Sequence, residues 1–224
     1  MRWIFGLTST LSGKVAKMVC GTLVGLLILT LPPVQADDDT SPAIVRVEED
    51  WILVLNEPND AMFAPQFHTV MSPFGHLESV YLQVIWNYWE YPEFEPGGLQ
   101  MQAWDGGLIE YEKDFHGQQL STNAETVSWT QVLETDGTVL TFRIENGHSQ
   151  TWGNFGGEYM QIHGVTNLPN LNRYLTNLSV VNSLVTYGAN RVDLFAIAAV
   201  RYYSEEGLIV TDNVTKVITQ AMAD

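Results

Sequence analysis

Aromatic and amide side chains recur at alternating positions in several short segments, a combination suited to binding sugar rings. Sugars present apolar C–H faces, on which indole and phenol rings stack, and hydroxyls, which Asn and Gln hydrogen-bond. The candidates are Tyr81, Gln83, Asn87, Trp89, Gln100, Gln102, Trp104, Gln150, Trp152 and Asn154. The alternative is that another layer covers these rings, because large aromatic residues are usually buried. Exposure of Trp89, Trp104 and Trp152 along one groove would favour binding.

A second candidate chemistry is glycoside hydrolysis, which needs two carboxyl groups about 5–5.5 Å or 6.5–9.5 Å apart. Glu110 and Glu112 lie two residues apart on a predicted strand, where side chains on the same face are separated by about 7 Å. Segment 90–96 is also acidic and aromatic, but its two prolines favour a loop. The chain has 26 acidic residues, so close pairs arise by chance. We therefore favour a non-catalytic interpretation.

Metal chemistry has little support in the sequence. The histidines are scattered and form neither an HExxH nor a His-x-His motif; they are His68, His76, His116, His148 and His163. No cofactor is required by these residues. Ca²⁺ is the most plausible ion, because it binds carboxylate, amide and backbone oxygens. Asp37–Asp39 offers such oxygens, although an acidic triplet in this position is more often solvated.

The N-terminal 36 residues have the order of a secretory signal. Basic residues precede an apolar stretch, Met18–Leu31, which is followed by two prolines and by Val34-Gln35-Ala36 as a cleavage site. Fourteen apolar residues reach about 21 Å, less than the ~30 Å of a bilayer core, so a retained anchor is the less favoured alternative. The only cysteine, Cys20, lies in this stretch. We expect a signal over 1–36, export to the periplasm or the exterior, and no integral membrane association after cleavage.

The charge of the remaining chain argues against nucleic acid as a partner. Residues 1–36 hold three of the ten basic residues and none of the 26 acidic ones, which leaves seven bases against 26 acids and a formal charge of −19. Phosphate backbones and anionic lipids require clustered Lys and Arg. The sequence therefore favours a neutral glycan or an extracellular protein as the partner.

Short alternating apolar segments, bounded by Gly, Pro, Asn and Asp, indicate β-strands throughout. The predicted strands are 44–49, 51–56, 77–90, 98–104, 108–113, 126–135, 138–146, 148–153, 158–164, 175–187, 191–203 and 207–217. Asp105-Gly106-Gly107, Asp136-Gly137 and Asn146-Gly147 predict hairpin turns. No helix is predicted. We expect an acidic lead-in at 37–43, one all-β domain at 44–218 built as an antiparallel β-sandwich of jelly-roll type, and a tail at 219–224.

Two stretches resemble the laminin-G-like, concanavalin-A-like sandwich superfamily. Val127–Gly147 is similar to its central hairpin, in which a strand bearing tryptophan leads through an Asp-Gly turn to a strand ending in Asn-Gly. Val192–Gly207, which contains Ala-Val-Arg-Tyr-Tyr-Ser-Glu-Glu, is similar to its closing strand. The chain also resembles a family of exported bacterial proteins that implies no activity. The superfamily resemblance implies a concanavalin-like jelly roll that binds glycans or proteins, often with Ca²⁺ at the rim of the sandwich, although no Ca²⁺ ligand set can be matched here.

From these observations we expect a non-catalytic module that binds an extracellular glycan. The alternatives are a structural or adhesive protein of the envelope or matrix that binds protein partners through an apolar patch, and a glycan-active hydrolase.

Overall fold

The structure, a computed structural model, describes residues 41–56, 65–88, 98–115, 120 and 124–220. These residues form thirteen strands, one α-helix and one 3₁₀ turn at Ala189–Arg191. The strands are β1 Arg46–Leu55, β2 Gln66–Met71, β3 Tyr81–Trp86, β4 Leu99–Asp105, β5 Leu108–Phe115, β6 Thr126–Thr135, β7 Val139–Ser149, β8 Gly153–Phe155, β9 Gln161–Val165, β10 Leu184–Tyr187, β11 Val192–Ser204, β12 Gly207–Asp212 and β13 Lys216–Gln220. Helix α1 spans Thr176–Asn182.

The strands form two antiparallel sheets, which confirms the predicted all-β antiparallel sandwich. The eight-stranded sheet has the order β12-β11-β1-β6-β7-β8, with β13 also paired to β11 and β9 also paired to β7. The five-stranded sheet has the order β10-β2-β3-β4-β5. Among the described strands neither sheet closes on itself, so β5 and β9 lie at edges of this arrangement.

Aromatic rings from both sheets fill the space between them. Trp51 and Trp129 of the eight-stranded sheet are stacked with ring centroids 5.9 Å apart. The ring centroid of Trp86, on the five-stranded sheet, lies 4.2 Å from that of Trp129 and 5.4 Å from that of Phe67. These side chains are almost fully buried. Strand alternation produces this core, since every second residue of each strand points between the sheets.

Several predicted boundaries are wrong. Segments 44–49 and 51–56 form the single strand β1, β2 was not predicted, and 207–217 contains the two strands β12 and β13. The predicted strand at 175–187 contains helix α1. That helix turns Thr176 and Ser179 inward and leaves Leu175 and Val181 exposed. Because its buried side is small and polar, its apolar residues carried no helical pattern.

Asn146-Gly147 does not form a hairpin turn but lies inside β7. Asn146 has a positive φ of 53°, and the pairing of β7 with β6 shifts register at this point, as in a β-bulge. The ring of Phe155 lies against Gly147, where even a Cβ atom would overlap it. The Asn-Gly signal therefore reports a bend within a strand and a close ring contact.

Glu49 is a fully buried carboxyl group inside the sandwich. Its oxygens accept hydrogen bonds from Tyr174 Oη and from Trp51 Nε1, the latter at 3.1 Å. Burial raises the pKa of Glu49 from 4.5 to about 7, and these hydrogen bonds only partly oppose the shift. The positive charge of Lys216 on β13 also lowers the pKa of Glu49, but by less than these hydrogen bonds do.

The raised pKa of Glu49 predicts a stability that falls as the pH rises from about 4.5 to about 7. In this range the folded protein retains a proton that the unfolded chain releases, so the free energy of unfolding decreases. At about 1.4 kcal/mol per pH unit, the loss totals about 3 kcal/mol. Urea unfolding of wild type and Glu49→Gln between pH 4 and 8 measures it. We expect the difference between the two to change by about this amount, whereas Glu112→Gln, at an exposed position, tracks wild type; a constant difference for Glu49→Gln would contradict the assignment.

Candidate functional site

The outer face of the five-stranded sheet brings five of the ten predicted binding residues together. They alternate on β3 and β4, and the list is Tyr81, Gln83, Gln100, Gln102 and Trp104. The register places Tyr81 opposite Trp104 and Gln83 opposite Gln102. Leu82, Val84, Leu99 and Met101, which alternate with them, point into the core, as the sequence predicts.

Tyr81 and Trp104 form an aromatic pair, here named the Tyr81–Trp104 platform. Their ring centroids are 5.5 Å apart and their planes differ by only 9°. Both side chains are half-buried, so each retains exposed surface. Burial also raises the pKa of Tyr81, which keeps the phenol neutral at physiological pH. The platform is thus an uncharged, partly exposed ring surface.

A chain of hydrogen bonds between side chains on the outer face of the sheet fixes the indole of Trp104. Trp104 Nε1 donates to Gln102 Oε1 at 3.0 Å, Gln102 donates to Gln100, and Gln100 Nε2 donates to Asp114 Oδ1 at 2.9 Å. The indole can only donate and the carboxylate can only accept, so the direction of both amides is determined. Gln100 and Gln102 are 3% and 5% exposed. They therefore orient Trp104 rather than offer a contact surface.

Between the platform and β10, the described residues of β2 and β3 on this face are mostly buried. Val70 and Ile85, further toward β10, are buried. Gln83 hydrogen-bonds Nδ1 of His68, whose buried Nε2 has no partner in the described chain. Burial lowers the pKa of His68, so the imidazole is neutral. The exposed groups nearest the platform in register are thus uncharged Gln83 on one side and the carboxylates of β5 on the other.

The remaining predicted binding residues lie elsewhere. Asn87 is buried and holds loops together, since it donates to Pro65 O and Leu120 O and accepts from Leu120 N. Trp152 packs against the core, stacked 6.0 Å from Trp86. Gln150 and Asn154 are exposed at the β7–β8 turn of the other sheet, and Trp89 lies outside the described residues. Trp104 and Trp152 therefore do not share a groove.

Glu110 and Glu112, the catalytic candidates, are both exposed on the edge strand β5. A register shift pairs Ala103 with Tyr111 but Trp104 with Ile109, which leaves Glu110 in a bulge. The regular alternation that predicted a shared face is thus interrupted. General acids of glycosidases depend on an apolar environment that raises their pKa, and exposed carboxyl groups lack it.

Within the ranges that the structure covers, no three His, Asp or Glu side chains converge on one point. Asp37–Asp39 and His116 lie outside those ranges. Within the same ranges, no helix is long and apolar enough to cross a membrane.

Sequence reasoning missed two members of the site, His68 and Asp114. His68 lies on β2, which was not predicted, and Asp114 lies just beyond the predicted end of β5 at residue 113. An extension of the alternation Glu110-x-Glu112-x-Asp114 along β5 is the signal that would have found the second one.

Comparisons with known proteins add no relative. The chain matches no family model, no curated protein and no solved structure. What is established is the class, an antiparallel β-sandwich with an aromatic and amide face.

The hydrogen-bond chain beneath the platform predicts a measurable loss of stability for Gln102→Met. This change keeps the side-chain volume but leaves the indole N–H of Trp104 and the side-chain oxygen of Gln100 without their partner. That loss costs about 1–3 kcal/mol. Urea unfolding followed by tryptophan fluorescence measures the loss. Gln150→Met, at an exposed position, is the matched control and stays within about 0.5 kcal/mol of wild type. Equal stabilities of the two variants would show that the hydrogen-bond chain contributes nothing to the stability of the protein.

Proposed function

We propose that the protein is an exported, non-catalytic recognition module that binds a neutral glycan on the Tyr81–Trp104 platform. The observation that carries the proposal is the stacked, partly exposed ring pair at the open end of the five-stranded sheet, 5.5 Å between centroids. Export is inferred from the order of residues 1–36. The concanavalin-like resemblance is in keeping with this function.

The platform suits a sugar because its rings are held before the ligand arrives. The bond from Trp104 Nε1 to Gln102 limits rotation of the indole, so binding loses less conformational entropy. The amide of Gln83 and the carboxylate of Glu112 lie next to the rings in register and supply hydrogen-bond partners for hydroxyls. A formal charge of −19 beyond residue 36 does not oppose an uncharged ligand but repels phosphates.

The absence of catalysis is supported by the environment of the two candidate carboxylates. Glu110 and Glu112 are exposed on an edge strand. A hydrolase needs one carboxyl group to remain protonated near neutral pH. Neither group lies in the apolar pocket in which such a catalytic acid is held.

A second candidate function is attachment to a protein partner through edge strand β12. Leu208, Ile209 and Val210 are 56%, 37% and 51% exposed on consecutive positions. Natural edge strands usually carry charges to prevent pairing with other chains. Glycan arrays separate the two functions, since a protein-binding module gives no signal there.

The platform predicts that Trp104→Ala weakens glycan binding. Loss of the stacking ring weakens binding about two- to tenfold, because a stacking contact contributes about 0.5–1.5 kcal/mol. The measurement is a glycan array with wild type, followed by calorimetric titration of the best neutral oligosaccharide into wild type and variant. Tyr187→Ala removes a 60% exposed ring at the far edge of the same sheet and keeps full affinity. A folded wild type that binds no glycan, or a Trp104→Ala protein with wild-type affinity, refutes the proposal.

A further inference from the structure

A cleft separates the two edge strands β5 and β9 on the open side of the sandwich. It has a volume of about 230 Å³ and is lined by Tyr111, Lys113, Glu158, Gln161, Ile162 and His163. In the described chain, β5 pairs only with β4 and β9 pairs only with β7. The free edges of both strands therefore present backbone N–H and C=O groups that no strand of the described chain pairs with.

The floor of this cleft leads into a small apolar chamber between the sheets. Tyr111, Ile162 and His163 line both spaces, so the two adjoin. The deeper walls are aliphatic and buried, and they comprise Leu82, Ala103, Leu140, Ile162 and Gly164. The chamber has room for about one water-sized group. A chamber with apolar walls gives a water molecule few hydrogen-bond partners, so a methyl group suits it better.

Two small residues create this chamber. Ala103 of β4 and Gly164 of β9 come from opposite sheets and line the same space. Any larger side chain at either position would fill it. The chamber is therefore a consequence of residue choice on two strands that are distant in sequence.

We propose that the cleft binds the acetamido group of an N-acetylated sugar, with its methyl group in the apolar chamber. The inference rests on the proposed function only in taking a glycan as the ligand. An acetamido group joins one methyl group to one planar amide. The chamber accepts the methyl group, and the free edge groups of β5 and β9 have the chemistry that pairs with an amide.

The rim of the cleft suits the rest of the sugar ring. Lys113 uses one donor on the carbonyl of Tyr159, 2.9 Å away, and lies over the ring of Phe115 at 4.8 Å. An ammonium group has three donors, so Lys113 retains donors for hydroxyls. The Gln161 amide can donate and accept, and Glu158 accepts. Lys113 and Glu158 have opposite charges, so the rim favours a neutral sugar over a charged one.

The chamber beneath the cleft and the platform lie on opposite faces of strand β4. Ala103 and Trp104 are consecutive residues of β4, with Ala103 pointing into the sandwich and Trp104 pointing outward. The edge strand β5 lies between the two sites. The preference for an N-acetylated over a plain monosaccharide therefore tests the cleft, whereas the loss of oligosaccharide affinity in Trp104→Ala tests the platform.

The first experiment titrates monosaccharides into the wild-type protein by ligand-observed NMR. N-acetylglucosamine carries the methyl group, glucose and glucosamine lack it, and N-propanoylglucosamine adds one methylene group. We expect N-acetylglucosamine to bind at least tenfold more tightly than each of the other three. Equal affinity for glucose, or for the propanoyl sugar, overturns the assignment of the chamber.

The second experiment fills or trims the site. Ala103→Val fills the chamber and Gln161→Ala removes an amide from the rim; we expect at least tenfold and at least threefold weaker binding of N-acetylglucosamine, respectively. Gln150→Ala, an exposed amide at the β7–β8 turn, is the matched control and retains wild-type affinity. Unchanged binding by folded Gln161→Ala and Ala103→Val overturns the proposal, and should Ala103→Val fail to fold, Gln161→Ala and the propanoyl sugar decide.

Trp104→Ala separates this inference from the proposed function. We expect that variant to keep the wild-type preference for N-acetylglucosamine over glucose and to lose affinity for oligosaccharides. If Trp104→Ala retains oligosaccharide affinity while the acetyl preference holds, the platform is wrong and the cleft stands. If the acetyl preference is absent while Trp104→Ala weakens oligosaccharide binding, the cleft is wrong and the platform stands.

Discussion

The contact between Trp86 and Trp129 is the interaction on which the arrangement of the two sheets depends. Their centroids are 4.2 Å apart, and each ring belongs to a different sheet. The chain beyond residue 36 contains no cysteine, so no disulfide can join the sheets. Large aromatic residues bury the most apolar area per side chain and prefer tilted or offset contacts. Once these rings face inward, the alternation of each strand determines which residues face outward.

The two outer faces that result are chemically different. On the eight-stranded sheet, Arg46, Arg143 and Arg201 pair with carboxylates of other strands, including a bond of 2.7 Å from Arg201 to Glu48. Since these arginines are paired within the protein, this face carries a network of internal ion pairs. On the five-stranded sheet, the side-chain amides of Gln100 and Gln102 form a hydrogen-bond chain that ends at Asp114. The Tyr81–Trp104 platform beside them remains partly exposed. The negative charge of the protein disfavours anionic ligands at this uncharged aromatic surface.

The sequence predicted the faces of β3 and β4 well, because strict alternation reports which side of a strand is buried. It failed where local signals have two structural meanings. Asn146-Gly147 permits a positive φ either in a hairpin or in a bulge, and only the pairing of β6 with β7 decides which one occurs. Helix α1 buries Thr176 and Ser179, so hydrophobicity could not reveal it. The chamber below the cleft could not be predicted from the sequence. Ala103 and Gly164 line the same space only because the two sheets pack together.

Strand β4 explains why the two candidate sites are coupled in the structure although they lie on different surfaces. Its inward residues, Leu99 and Met101, are large and pack fully, whereas the inward residue next to Trp104 is Ala103. A large residue at 103 would seal the core beside the edge strand and leave only the outer face open. With alanine, the interior remains open beside β5 at the same level at which the platform is exposed outside. The size of the side chain at position 103 of β4, together with Gly164 of β9, therefore decides whether the proposed chamber exists beside the platform.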